Sequence, residues 1–238
     1  MELERFIEKL NKQLSVFDIN IDQDSAKKLY YYMKELIKWN ENINVTAIVD
    51  EEEFLTKHIV DSLLINKYIE KEQTIIDVGT GGGFPGIPIA ITNNIKVTLM
   101  DAVNKKLNVI ISISSEMDIN NIEIIHSRAE DMGQDIKHRE KYDICTSRAV
   151  ASLPTLLEYM MPLVKVGGKI ICMKGPSFDT ELENAKKAIS VLGGKLEGVD
   201  NYVLEGNNER NIIVIKKVKN TSKNYPRKNG KPNKEPIL

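Results

Sequence analysis

Apolar residues recur at helical spacing through the first seventy positions and then switch to short strand-like runs. Leu3, Phe6, Ile7, Leu10 and Leu14 fall on one helix face, and Leu29, Met33, Leu36 and Ile37 repeat the pattern in a second segment. Asp22 to Ser25 supply candidate caps for that segment, and a third helix is expected from about Asp50 to Tyr68. From residue 74 the strand-like runs are Thr74–Val78, Lys96–Asp101, Ile122–His126, Tyr142–Thr146, Lys169–Lys174 and Asn211–Lys217. Helical stretches separate most of them: Gly86–Thr92, Asn104–Met117, Leu153–Val164 and Asp179–Leu192. Strands alternating with helices imply an α/β fold with a mostly parallel sheet covered on both faces, whose ligands bind beyond the carboxyl ends of the strands. The expected division is a helical cap over 1–72, a sheet domain over 73–217 and a tail over 218–238.

Composition narrows this picture. A 238-residue chain that is 42% hydrophobic and 28% charged can bury a sizeable core. No apolar run approaches membrane-spanning length, and Met-Glu-Leu-Glu-Arg at the start has no signal-peptide character, so a cytoplasmic protein is expected. Cys145 and Cys172 lack metal-ligand spacing and read as small buried thiols, and no metal site is expected. Charge is uneven. Residues 216–238 hold eight basic side chains against Glu235 alone, a net +7 that leaves −8 on the rest of a chain whose total is −1. A basic tail on an acidic body suggests an anionic partner, RNA or DNA first, with a solvated extension as the alternative. Tyr225 could stack on a base, and Pro226, Pro232 and Pro236 favour an extended segment.

The candidate chemistry centres on Ile75-Ile76-Asp77-Val78-Gly79-Thr80-Gly81-Gly82-Gly83. A strand running into a glycine turn lets a ligand approach the backbone closely. Gly79, Gly81 and Gly83 form G-x-G-x-G; in a competing register Gly81, Gly83 and Gly86 satisfy a dinucleotide fingerprint, with Asp101 as its ribose acid. Asp77 tilts the choice, because a carboxylate beside the turn would repel a pyrophosphate and attract the cationic amine and sulfonium of S-adenosylmethionine. Phe84 and Pro85 occupy positions where phosphate-facing amides would be wanted, and Pro85 has no N–H.

Asp101 ends the second strand, where it can accept both ribose hydroxyls or cap the next helix. Glu130 follows the third strand near the expected place of adenine, a solvated acidic loop being the alternative. Arg148, in Thr146-Ser147-Arg148-Ala149-Val150 after the fourth strand, could hold a cofactor carboxylate or an RNA phosphate, or pair structurally with Asp143 or Glu158. That loop lacks the Asn/Asp-Pro-Pro-aromatic pattern of amino-group methyltransferases, and no nucleophilic cysteine follows the strand. What is left suits guanine N7, whose free lone pair carries no proton, so that positioning and water exclusion suffice. His58 and Asp61 would share a helix face toward RNA, the cofactor cleft or a local network; Trp39 reads as a core aromatic, and His126 and His138 carry no motif.

With these residues in view, the chain resembles the 16S rRNA guanine-N7 methyltransferase family, also called glucose-inhibited division protein B, over nearly its full length. The resemblance rests on Trp39-Asn40 with Asn44-Val45-Thr46-Ala47, on Lys57-His58-Ile59-Val60-Asp61-Ser62, and on Ile76 through Gly86. Ser147-Arg148-Ala149-Val150-Ala151, Lys174-Gly175 and the tail from Tyr225 to Lys234 are also similar, while Gly82 stands where some members carry proline or alanine. It implies a Rossmann-like class I S-adenosylmethionine-dependent methyltransferase sheet that methylates a guanine N7 in the decoding-region loop of 16S rRNA in the small ribosomal subunit. It further implies cofactor contacts at Gly79, Phe84, Ala129, Glu130 and Arg148.

The combined expectation is specific. Asp77 and the turn from Gly79 through Gly81 to Gly83 hold the methionine half, Phe84 is a further cofactor contact, Asp101 binds ribose, and Ala129 with Glu130 meets adenine. Arg148 is the catalytic residue at the methyl-transfer end, and Lys223, Arg227, Lys228 and Lys231 meet RNA phosphates. No stable protein partner is implied and a monomer is expected. The rivals are an NAD-dependent oxidoreductase and a non-catalytic RNA-binding assembly factor.

Overall fold

A computed structural model describes every residue except Asn229, the one position of the tail motif that lies outside the described residues. Seven strands form one sheet in the order β3-β2-β1-β4-β5-β7-β6. They are β1 (Ile75–Val78), β2 (Val97–Asp101), β3 (Ile122–His126), β4 (Tyr142–Arg148), β5 (Val164–Lys174), β6 (Gly194–Leu204) and β7 (Asn208–Lys217). The first five pair in parallel, and β7 enters antiparallel beside β5 with β6 on its outer edge. The chain reverses its strand order at β1, so the crevice beyond the carboxyl ends of β1 and β4 is a topological switch point.

Period-two alternation sends successive strand residues to opposite faces. Ile75, Val97, Leu99, Ile144, Ile171, Ile212 and Val214 enter one core, and Ile76, Met100, Cys145, Ile170, Cys172, Ile213 and Ile215 enter the other. The first core is covered by α1 (Leu3–Ser15), α2 (Gln23–Asn40) and a long helical run from residue 51, together with helices from between the first strands. That run begins as α3 (Glu51–Phe54), widens into a π-helical stretch (Leu55–Val60), tightens through α4 (Asp61–Leu63) and closes in 3₁₀ turns (Leu64–Tyr68), matching the expected third helix. The helical region 1–72 therefore shares its core with the strands as one layer of the molecule. α5 (Gly86–Thr92), α6 (Asn104–Glu116) and α7 (Ala129–Met132) follow β1, β2 and β3, and α8 (Leu153–Met160) with α9 (Phe178–Val191) covers the second face. Both cysteines are free and buried, as their surroundings suggested. Among the described residues no helix is long and apolar enough to cross a membrane.

Two expectations change. β6 is absent from the sequence reading because Gly194 and Gly198 interrupt its alternation, and the register shifts between Leu196 and Gly198. The tail does not extend into solvent. It folds back over the second core, burying Thr221, Pro226 and Pro232 and ending in α10 (Lys231–Lys234). Its root is the fully buried Lys217 amine, which donates to Met161 O (2.6 Å), Val164 O (3.2 Å) and Thr221 Oγ1 (2.7 Å) and faces Glu140 at 3.2 Å.

Burial pushes the Lys217 amine down to about 8, with Glu140 opposing and Arg139 reinforcing the shift. A lysine whose folded pKa lies below its unfolded value of about 10.4 binds fewer protons folded than unfolded between the two. Stability from this group therefore rises with pH above about 8, by at most roughly 1.4 kcal/mol per unit. Denaturant midpoints at pH 7.5 and 9.5 should show that gain in the parent chain and a flatter profile in Lys217→Met; parallel profiles would remove Lys217 as the titrating group.

Candidate active site

The glycine turn after β1 is shaped by close approach. Gly79 has φ +73°, and a Cβ there would lie 2.5 Å from Val150 Cγ2; at Gly83, with φ +87°, a Cβ would lie 2.6 Å from Ile87 and from the Tyr32 hydroxyl. Both positions need glycine for conformation and for space. The turn is then closed by its own hydrogen bonds. Gly79 and Thr80 N–H donate to Met100 O, Gly81 N–H to Asp101 Oδ2 (2.8 Å), and Gly83 and Phe84 N–H to Thr80 O. Those amides are satisfied inside the protein, so the turn does not offer them as a cradle for a pyrophosphate.

Asp77 is not at the mouth of the turn, where the sequence reading put it. It is 0% exposed beneath the turn. Its Oδ2 accepts from Thr80 Oγ1 (2.7 Å) and Gly86 N–H (2.9 Å), and its Oδ1 is buried without a partner. Burial pushes its pKa up to about 6, opposed by those two hydrogen bonds and by Arg148. The carboxylate braces the turn from inside, and Gly86 packs close above it: a Cβ there would lie 2.1 Å from Leu99 and 3.0 Å from Asp77 Oδ2.

Above the turn lies a cavity of about 620 Å³ whose wall includes Gly79, Gly81, Phe84, Asp101, Ala129, Glu130 and Arg148, so seven of the expected residues converge. Asp77 and Gly83 support it from behind. Asp101 ends β2 and accepts from Gly81 N–H and Val103 N–H (2.8 Å), joining the turn to the start of α6; it does not choose between brace and ligand acceptor, because a carboxylate has acceptor positions to spare. Glu130 sits in α7 with Oε1 accepting from Gly230 N–H at 3.2 Å. The cavity's size and its two wall carboxylates, one ending β2 and one in α7 after β3, fit a ligand with a ribose and an adenine edge, and the five amides closed within the turn disfavour one with a pyrophosphate.

Arg148 ends β4, and its partners are neither Asp143, which pairs with Lys165, nor Glu158. Its Nη1 donates to Lys57 O (2.7 Å) and Asp61 Oδ2 (2.9 Å), and its Nη2 to His58 Nδ1 (2.7 Å). An arginine only donates, so His58 Nδ1 accepts and Nε2 carries the proton, donating to Thr46 Oγ1 at 2.7 Å. Thr46 is placed by Asn40, whose Oδ1 accepts from the Val45 and Thr46 amides. His58 also stacks on Phe84 at 4.5 Å with the rings 5° apart, and Arg148 lies 5.4 Å over the same ring. Burial first, then Arg148, pushes His58 down to about 3, so the imidazole is neutral. The second oxygen of Asp61 has Arg210 Nε at 3.3 Å, an ion pair rather than a formed hydrogen bond. His58 and Asp61 thus belong to the site, although their three-residue spacing alone did not place them there.

Beyond Arg148 opens a second cavity of about 690 Å³, reached by His58, Arg148 and Ala149–Ala151 from one side and by Lys57, Lys174 and Arg210 from the other. Ala149 divides the two cavities at φ +57°, a conformation rare for a residue with a side chain and found where surroundings enforce it. The enforcement is visible: Lys174 Nζ holds Ala151 O at 2.7 Å and Glu181 at 2.7 Å, and Glu181 accepts from Leu153 N–H at 2.7 Å. Of the expected RNA contacts, Lys223, Lys228 and Lys231 are exposed, whereas Arg227 is turned inward onto Glu158. Sequence reasoning did not foresee that Gly230, Asn233 and Lys234 of the tail line the first cavity, together with Tyr159.

The sheet order, the glycine turn and the acid at the end of β2 define a Rossmann-like class I methyltransferase. Solved structures agree at the level of fold. The ribosomal protein L11 methylase from Lactobacillus delbrueckii subsp. bulgaricus aligns with TM-score 0.54 and 16% identity over 68% of this chain and 79% of that one. The precorrin-6y C5,15-methyltransferase from Geobacter metallireducens GS-15 aligns with TM-score 0.51 and 16% identity, covering 66% and 87%. The family described as rRNA small subunit methyltransferase G matches residues 25–213, and the chain belongs to it. Among its relatives, ribosomal RNA small subunit methyltransferase G of Acetivibrio thermocellus is 47% identical over 94% of this chain and 93% of its own. The protein of the same name from Clostridium perfringens (strain SM101 / Type A) is 41% identical over 98% and 99%. The chain is therefore an enzyme, a methyltransferase.

Because Thr80 and Gly86 both bond Oδ2 of Asp77, one oxygen suffices for the brace. Asp77→Ala should orphan two buried donors and cost about 1–3 kcal/mol each before relaxation. Asp77→Asn, which keeps an acceptor at that place, should cost much less. Urea midpoints of the two variants provide the comparison, and equal losses would show that charge rather than the hydrogen bonds is what the turn needs.

Proposed function

We propose that the chain methylates N7 of a guanine in the decoding-region loop of 16S rRNA, in the cytoplasm, using S-adenosylmethionine held in the first cavity. One observation carries the choice of cofactor: the amides of Gly79, Thr80, Gly81, Gly83 and Phe84 are consumed internally, while Asp101 at the end of β2 and Glu130 in α7 after β3 stand in the cavity wall. That disfavours a phosphate-bearing hydride carrier and suits a donor with a cationic methionine half, a ribose and an adenine. When bound, this cofactor supplies an electrophilic methyl group on its sulfonium.

The chain's own residues supply place and dryness. Gly79, Gly81 and Phe84 shape the wall at the methionine half, with Asp77 and Gly83 holding the turn from beneath. Asp101 accepts from ribose, and Ala129 with Glu130 faces adenine. The second cavity receives the acceptor base, with Lys57 and Arg210 at its edge for the phosphates beside it. Arg148 stands between the two cavities and is the catalytic residue by position: its guanidinium, fixed by Asp61 and His58, aligns what lies on either side. Guanine N7 brings its own in-plane lone pair and no proton, so a neutral, buried His58 is no handicap and no general base is required. Lys223, Lys228 and Lys231 add sequence-independent attraction to the rRNA backbone.

A tritium-methyl transfer assay on unmodified small-subunit particles, set beside naked 16S rRNA, tests this reading. Incorporation should map to a single guanine N7, and calorimetry should show affinity for S-adenosylhomocysteine and none for NAD. Absence of transfer to either substrate, or binding of NAD in place of the thioether, overturns it.

Arg148→Lys provides a sharper check, because a single ammonium cannot serve Asp61, His58 and Lys57 O with one planar fork. A loss of about 100-fold in kcat/KM is expected from misplacement alone. Wild-type kcat/KM in that variant would leave Arg148 a structural tie only.

A further inference from the structure

The basic tail turns its anchoring groups inward. After β7, Arg139 donates to four carbonyls, those of Gly133, Thr221, Ser222 and Tyr225, at 2.6–3.1 Å. Gln134 donates to Lys223 O and Pro226 O. The tail presses so closely here that a Cβ on Gly133 would lie 2.7 Å from Pro226. Glu158, 0% exposed on α8, then takes Arg227 in a forked pair, Nε at 2.9 Å and Nη2 at 2.6 Å, and also accepts the Arg227 backbone N–H at 2.7 Å. Thr155 donates to Pro232 O at 3.0 Å, and Arg227 Nη2 reaches Glu235 O at 2.7 Å. Between these ties, Gly230 N–H reaches Glu130, and Gly230, Asn233 and Lys234 enter the cavity wall.

We propose that the segment Gly230–Lys234 is part of the cofactor site, completing its adenine side, and that Arg227 and Glu158 are the positioning residues that seat it. The inference rests on the reading of the first cavity as the S-adenosylmethionine site. A carboxylate free to rotate presents its oxygens in many directions, whereas Glu130 tied through one oxygen to Gly230 presents the other in a fixed one. Order in the tail is thereby converted into order at the adenine edge. Coupling between two binding events is reciprocal, so a tail that strengthens cofactor binding must itself be held more firmly when the cofactor is bound.

Full-length variants test this without leaving a lone buried charge. Arg227→Met combined with Glu158→Leu removes both charges and fills their volume with apolar atoms, leaving only the backbone N–H of residue 227 without its acceptor, which keeps the fold where a single truncation would strand an ion. Calorimetry should show S-adenosylhomocysteine affinity lowered by about tenfold, within the usual range of such couplings. The melting temperature of the ligand-free protein should stay near the parent value, and KM for the methyl donor should rise with kcat preserved. Arg227→Lys, which keeps the charge, should recover part of the affinity, and Asn233→Ala with Lys234→Ala should weaken it severalfold. In the parent chain, saturating S-adenosylhomocysteine should slow tryptic cleavage between Arg227 and Lys234, read by mass spectrometry, and should fail to do so in the double variant. A parent chain with no affinity for S-adenosylhomocysteine overturns the cofactor reading and this inference with it. Parent binding that the double variant retains in full, with tail cleavage indifferent to ligand, overturns the inference alone.

Discussion

The guanidinium of Arg148 is the joint on which the site depends. It grows from the end of β4, the central strand next to the glycine turn, and is gripped by three groups of the helical layer, Lys57 O, His58 and Asp61. Arg210 of β7 reaches the same Asp61 at 3.3 Å, so one carboxylate of the helical layer is tied by charge to two strands. Removing the Arg148 guanidinium would leave Asp61 as a buried carboxylate with only a loosely placed Arg210, a change that typically costs about 3–5 kcal/mol, and would free His58 from its tautomer. The π-helical widening at Leu55–Val60 fits this view. Lys57 and His58 lie within it, and single π-turns are frequent at functional sites. Phe84, stacked under His58 and Arg148, passes the same constraint to the glycine turn.

Much of this was legible in the sequence. Period-two runs located six of seven strands because each faces two apolar layers, and the glycine pattern located the cavity because close approach to backbone has few other solutions. What escaped was of two kinds. β6 escaped because it is an edge strand whose charges and glycines guard against pairing with another sheet, which is the same property that hides it from a hydrophobic pattern. The partners of His58, Asp61 and Arg227 escaped because they lie 69 to 90 residues away, and pairing at that distance leaves no local spacing to read. The family signature carried His58 and Asp61 within it, without saying what they touch.

Asp77 shows a different failure, one of inference rather than of signal. The residue was singled out for the cofactor, and electrostatic attraction was assumed where hydrogen bonding to Thr80 Oγ1 and Gly86 N–H is what the geometry supplies. An acid two residues before a glycine is close enough to reach under the turn, and a buried carboxylate finds its N–H and O–H partners first. The same lesson applies to the tail. Net charge counted Arg227 as a cation for a distant polyanion, when a buried Glu158 sixty-nine residues earlier in the chain was already waiting for it. Lys223, Lys228 and Lys231, lacking any such buried partner, keep the outward reading.

The loop from Arg148 to Leu153 joins these threads. Ala149 holds a left-handed conformation that costs of order 1–3 kcal/mol for a residue with a side chain. It persists because both of its sides are fixed, Arg148 by the helical layer and Ala151 O by Lys174, while Val150 fills the space that Gly79 leaves open. On the proposed reading two substrates meet across this loop, and a loop so over-determined has little freedom left to lose. For a reaction whose nucleophile needs no deprotonation, alignment is the main thing a protein can contribute, and here it is built before either substrate arrives.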